Sequence, residues 1–135
     1  ANWCSRSRYV RANRIRGDRI MGGFRPSNTV LTSPLTIDSN GGDVASGAAV
    51  PVTNHASLFV TAGAETSTLA VGSEGQIIVL CLKTDGGNMV TTVTNAGWKS
   101  SGTGTLTFDT IGDSCVLQYI DSKWFCIGNN GVTFA

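Results

Sequence analysis

At 135 residues with a formal net charge of +1, the chain has room for one domain able to bury roughly two thirds of the surface its unfolded form exposes. Charged residues make up only 14% of it, and glycine, serine, threonine and valine take the place of leucine, glutamate, lysine and alanine runs, which disfavours helices and implies an all-β fold. The longest apolar run, Ile77 to Leu82, is far too short to cross a bilayer, and no apolar N-terminal stretch resembles a secretion signal, so a soluble, cytoplasmically made protein with no membrane partner is expected.

The near-zero charge conceals a division along the chain. Residues 1–25 carry Arg6, Arg8, Arg11, Arg14, Arg16, Arg19 and Arg25 against the single acid Asp18, a balance of +6. Residues 26–135 carry Lys83, Lys99 and Lys123 against eight acids, a balance of −5. The apolar residues of the first segment follow neither the helical nor the strand period, and so much like charge opposes independent folding. Trp3, Tyr9, Ile15 and Phe24 nevertheless suit a segment that orders on a partner, with guanidinium forks gripping and aromatic rings anchoring. The expected organisation is an extended arginine-rich arm over 1–25, a joint at Gly22, Gly23 and Pro26, and a β-rich body over 26–135.

Short strands are expected in the body at 29–32 and 35–38, followed by an exposed glycine, serine and aspartate loop at 39–49. Further strands are expected at 50–53, 57–61 and 66–71. Glu74 and Gly75 turn the chain into a central strand at 76–83, whose six consecutive apolar residues predict burial on both faces. Asp85, Gly86 and Gly87 predict a hairpin into a strand at 88–94. A loop at 95–102 exposing Trp98 and Lys99 leads to a strand at 103–109 with Leu106 and Phe108 on one face. The last quarter reads as a hairpin of 115–120 and 123–127 around Asp121 and Ser122, then a glycine break and a short final strand. A three-residue turn there would align Leu117 and Tyr119 with Phe125 and Ile127, whereas a two-residue turn would set Tyr119 opposite Trp124; either way these five residues are expected in the core or in contact between copies. About ten short strands separated by turns imply a single antiparallel β-sandwich or barrel-like domain.

Signals for chemistry are weak. His55 is the sole histidine and reads as a loop or structural residue, since no triad or nucleophile elbow surrounds it. The run of oxygen-bearing residues from Asp38 to Asp43 lacks the closing glutamate of a calcium loop and reads as a glycine turn. Asp109, Asp113 and Asp121 sit at turns, where capping explains them, and Arg16-Gly17-Asp18 arises readily in an arginine-rich arm. Glycines nowhere form a phosphate-cradling loop, so no cofactor is expected and an enzyme is the least favoured class. Of the four cysteines, Cys115 and Cys126 flank the hairpin and are the one pair worth considering for a bridge, with free thiols favoured.

From about Thr66 a set of motifs stands out: LAVGSEGQ at 69–76, GTLTF at 104–108, GDS at 112–114, Leu117-Gln118-Tyr119, and WFCIGNNGVT at 124–133. Over roughly half the chain this pattern resembles small head-decoration or head-fibre proteins of tailed bacteriophages, as in marine and cyanobacterial phages. The resemblance implies a virion structural protein whose body lies on the capsid exterior, commonly as a homotrimer at threefold or quasi-threefold positions, clamping neighbouring major capsid subunits. Trp3, Arg6, Arg8, Tyr9, Arg11, Arg14, Arg16, Arg19, Phe24 and Arg25 would then form the capsid-binding arm. One alternative is a fibre or receptor-binding protein in which exposed Trp98, Tyr119 or Trp124 meets a host glycan. Another is an arginine-armed nucleic-acid binder, disfavoured because the acidic body repels phosphates.

Overall fold

A computed structural model describes residues 42–135. The arm, its boundary with the body, the strands expected at 29–32 and 35–38, and the glycine loop up to residue 41 lie outside the described residues.

Nine strands are present among the described residues, with no helix: β1 (Asp43–Val44), β2 (Ala56–Val60), β3 (Glu65–Leu69), β4 (Ile77–Thr84), β5 (Met89–Thr94), β6 (Thr103–Phe108), β7 (Ser114–Ile120), β8 (Lys123–Asn130) and β9 (Thr133–Phe134). They form two mixed sheets, the first in the order β1-β2-β4-β7-β8 and the second in the order β3-β5-β6-β9. Strict alternation of buried and more open positions in β5, β6 and β7 is what a strand with one face in the core requires.

The chain changes sheet at almost every step of its first half. β1 lies parallel to β2 and β2 parallel to β4, while β3 lies parallel to β5 in the other sheet. Ala49, between β1 and β2, bridges in parallel to Thr68 of β3. These pairings describe three stacked turns of a two-sheet coil. The coil ends where β5 pairs antiparallel with β6; β7 then crosses to lie antiparallel to β4, and β8 and β9 close the two sheets.

The all-β expectation holds for these residues, but the antiparallel one does not. Three strand pairs are parallel, because the chain comes back to a sheet after a pass through the other one and re-enters from the same end. The hairpin expected at Asp85-Gly86-Gly87 is absent for the same reason: β4 and β5 belong to opposite sheets. That tripeptide makes a corner of the coil instead. The Thr61 hydroxyl donates to the Gly87 carbonyl at 2.6 Å and accepts from the Gly86 amide at 3.0 Å, tying this corner to the β2–β3 corner beneath it. A side chain at Gly87 would fall 2.4 Å from the Gly63 backbone, so the close stacking of corners, rather than a tight turn, requires glycine there.

Other expectations shift locally. The loop at 39–49 contains β1 and buries Val44. The strand expected at 50–53 is irregular, with Val50 buried and its amide donating to the Thr68 carbonyl at 2.7 Å. β4 alternates rather than being buried on both faces, since Ile77 is 37% exposed while Ile78, Leu80 and Leu82 are inside.

The core lies between the sheets, where Phe59 of the first meets Phe108 of the second edge to face at 5.0 Å. Leu69, Leu80, Leu82, Met89, Leu106 and Leu117 are fully enclosed around them. Each such side chain stabilises the fold by about 1.5–3 kcal/mol relative to exposure. The two inward hydroxyls of β3 and β5, Ser67 and Thr91, satisfy each other at 2.8 Å.

Candidate functional site

The terminal hairpin builds the most structured surface feature. Asp121 and Ser122 have φ of 50° and 64°, the pair of left-handed residues that a two-residue hairpin turn with the natural strand twist needs. That turn fixes the register left open by the sequence, setting Tyr119 opposite Trp124, both inward, with their rings edge to face at 5.0 Å. The Trp124 indole donates to the Ala70 carbonyl at 2.9 Å. Phe125 therefore points outward at 38% exposure, and a bulge opposite the Val116–Leu117 step leaves Ile127 unpaired and 53% exposed.

β8 is an edge strand, and the segment after β5 covers part of that edge. The Trp124 amide donates to the Asn95 carbonyl at 2.8 Å, and the Gly97 amide donates to the Trp124 carbonyl at 2.7 Å. Asn95 makes the bend with φ of 60°. The chain then lays Trp98 against Phe134 of β9, edge to face at 4.8 Å, with the Trp98 indole donating to the Ala135 carbonyl at 3.2 Å. Side chains at Gly97 and Gly104 would collide with the Phe125 and Trp98 rings at 2.7 and 2.6 Å, so these two glycines admit the aromatics.

Trp98, Phe125 and Phe134, with Gly97, Cys126 and Asn129, consequently line a cleft of about 360 Å³. Its polar atoms are engaged within the protein: the Asn129 side chain closes a reciprocal pair with the backbone of Val132, and the Cys126 thiol faces the Gly128 carbonyl at 3.3 Å. Such a cleft suits an apolar or stacking group. Phe134 was not a sequence candidate, because its partner Trp98 lies in a different loop and nothing local links the two.

Of the residues expected in the core or between copies, Leu117, Tyr119 and Trp124 are buried, and Phe125 and Ile127 remain at the surface. Burial of Tyr119 and Trp124 corrects the expectation that they are exposed for ligands; Trp98 alone of that trio reaches the surface, and it is half-buried. The arm residues Trp3, Arg6, Arg8, Tyr9, Arg11, Arg14, Arg16, Arg19, Phe24 and Arg25 lie outside the described residues.

Around the candidate chemical residues the structure shows turn and backbone bonds. The His55 carbonyl accepts from Val79, extending the β2–β4 pairing. Buried Asp113 accepts from the amides of Asp109 and Thr110 at 2.9 and 3.0 Å, capping the turn before β7. The Asp121 amide donates to the Glu74 carboxylate at 3.0 Å, and Asp43 pairs with Lys83 at 3.7 Å. No group of three or more histidine, cysteine or acidic side chains converges among the described residues. Cys81, Cys115 and Cys126 are free, and the β7–β8 register keeps the last two apart by setting Cys115 opposite Asn129 and Cys126 opposite Leu117. Burial pushes the Cys115 thiol up from 9.0 to about 12, with nearby Cys126 adding to the effect.

The fold and this surface define, over residues 42–135, an all-β arrangement of two mixed sheets with an aromatic cleft at one edge. No protein-family model matches the chain, and no curated protein does.

Proposed function

We propose that the chain is a non-enzymatic structural protein of a phage virion, binding the capsid exterior as a cement or decoration protein. The observation that carries this reading is the segregation of charge: every arginine lies in residues 1–25, and the rest of the chain is acidic. A basic arm on an acidic body is a molecule made to grip a partner at one end. Trp3, Tyr9 and Phe24 among the arginines give the arm anchors that a merely solubilising tail lacks. Fully extended, it spans roughly 80 Å, enough to reach a neighbouring major capsid subunit. In a homotrimer three arms act from one site, and modest contacts add through effective concentration. Strand addition to a capsid sheet would let the arm backbone supply affinity while its guanidiniums set register.

The test mixes expanded heads lacking the protein with the full chain or with a form deleted for residues 1–25. The full chain binds and stabilises the heads, and the deleted form fails to bind. Undiminished binding by the deleted form overturns the reading.

The aromatic cleft of Trp98, Phe125 and Phe134 favours a second reading, a head-fibre, tail-fibre or receptor-binding protein that stacks a host glycan there. Glycan-array binding that is lost in Trp98→Ala, with no gain in head stability, would carry it instead. An arginine-armed nucleic-acid binder stands third, since the body would repel the phosphates its arm attracts.

A further inference from the structure

β8 closes the first sheet, so one side of its backbone faces no strand of that sheet. Which groups lie on that side follows from its partner, β7. The Tyr119 amide donates to the Gln76 carbonyl and the Tyr119 carbonyl accepts from the Gly75 amide, both at 2.8 Å. Tyr119 thus spends its backbone away from β8, and Trp124, opposite it, is left to bond outward, which it does with Asn95 and Gly97. Two residues on, Cys126 stands opposite Leu117 in the same phase of the ladder. Its N–H and C=O therefore point outward too, and neither has a hydrogen-bond partner among the described residues.

The protein itself shows what this edge accepts. Residues 95–97 run beside β8 as a strand would, bridging Ala96 in parallel to Trp124. The segment then leaves before reaching Cys126: the Lys99 amide donates back to the Ala96 carbonyl, and Trp98 packs on Phe134. Where it leaves, the cleft of Trp98, Phe125 and Phe134 opens, with Cys126 in its lining. Unpaired strand edge and aromatic recess coincide, so an extended chain that bonds Cys126 can drop an alternate side chain into the recess.

We propose that this seat takes an extended peptide of a partner protein, laid beside β8 where residues 95–97 leave it, with an aromatic or large apolar side chain in the cleft and acidic residues next to it. Charge selects the occupant. Residues 95–100 and 123–131 hold Lys99 and Lys123 and no acid, so two of the chain's three lysines gather at the seat although residues 26–135 are acidic in balance. Asp121, in the turn beside Lys123, offsets one of them and leaves the seat net positive. An arm with seven arginines is repelled there, whereas a peptide with glutamate or aspartate beside its anchor is attracted. Stacking alone would suit a glycan; an outward N–H and C=O on one residue are the complement of a peptide backbone. The bulge at Ile127 bends β8 just beyond Cys126, which keeps the seat short and discourages pairing of whole strands edge to edge. Recognition then depends on the side chain in the cleft, and binding needs neither the arm nor a capsid.

Nuclear magnetic resonance titration of the isotope-labelled full chain with synthetic capped heptapeptides tests this. The peptides carry tryptophan or alanine at the centre, glutamate or arginine beside it, and threonine elsewhere. The tryptophan–glutamate peptide is expected to shift the Cys126 amide and the Trp98 indole N–H, and to bind roughly tenfold tighter than its alanine or arginine counterparts. An N-methyl scan of that peptide is expected to weaken binding at amides that face β8 and to spare the ones between them. Cys126→Pro removes the outward N–H while sparing the bonds to β7, as an edge strand permits, and is expected to weaken binding by roughly tenfold. Should that variant lose its near-UV circular dichroism, Phe125→Ala, at a position already open to water, is expected to give the same loss. No binding by any peptide up to about 1 mM, indifference to N-methylation, or equal binding of the arginine peptide would each overturn the proposal. A host glycan that binds where no peptide does, and is lost in Trp98→Ala, overturns it too and favours the fibre reading. Head binding through the arm is measured separately, so either result can fail alone.

Discussion

Trp124 shows how much one side chain can organise. It is fully buried, donates to Ala70, packs edge to face on Tyr119, and offers its backbone to Asn95 and Gly97, so one residue joins the β3–β4 connection, the terminal hairpin and the segment after β5. Its aromatic character was legible in the sequence; its direction was not, because that depends on whether the turn holds two residues or three. Cys115 carries a prediction at this scale. Its thiol ionises at about 12 in the fold and near 9.0 when free, so as pH rises past 9 the unfolded chain releases the proton first and alkali favours unfolding. The stability contribution is fully present below about pH 9 and is lost on the way to pH 12, with a slope of at most about 1.4 kcal/mol per pH unit. Urea unfolding at about pH 8 and about pH 10.5 should show a steeper alkaline loss for the wild type than for Cys115→Ala, beyond the constant cost of the deleted sulfur. An unchanged slope in the variant would mean that the thiol titrates normally.

At the scale of elements, turn chemistry read from sequence was right where the turn is local and wrong where it is not. Asp121-Ser122 closes a true hairpin, with both residues held at positive φ against the preference of residues bearing a Cβ. Asp121→Asn with Ser122→Gly supplies the pair this turn favours, keeps the hydrogen bond that the backbone N–H of position 121 donates to Glu74, and should stabilise the protein by about 1 kcal/mol, raising Tm by about 3 °C. Calorimetry checks it; a lower Tm would show that the side chains of the turn matter more than its backbone. Asp85-Gly86-Gly87 carries an equally good hairpin signature, yet joins strands of opposite sheets, because a glycine pair serves a stacked corner as well as a reversal.

Across the described residues as a whole, the defining feature is parallel pairing between strands that are not neighbours in the chain. β2 reaches β4 only after β3 has been laid in the other sheet, and β7 reaches β4 only after a hairpin has formed elsewhere. Such non-local order places folding in the range of milliseconds to seconds. Stopped-flow refolding followed by tryptophan fluorescence should show a main phase in that window, and microsecond folding would contradict a fold closed by distant strands.

Alternation of side chains, the chemistry of turns and the charge along the chain are local properties, so the sequence alone determined that residues 42–135 are all-β, where β6 and the terminal hairpin lie, that Leu106 and Phe108 share a face, and that the arginines are gathered at one end. Only the tertiary structure decided which strands pair, that three pairs are parallel, that Tyr119 and Trp124 face inward, and that Trp98 meets Phe134. It also decided that threonines of three strands crowd the outer face of the second sheet, although every alternating residue was visible beforehand. The physical reason is common to all of these: period-two patterning tells which residues share a face of one strand, but the neighbour of that strand is chosen by long-range burial, and a face acquires its chemistry only when distant strands are laid side by side.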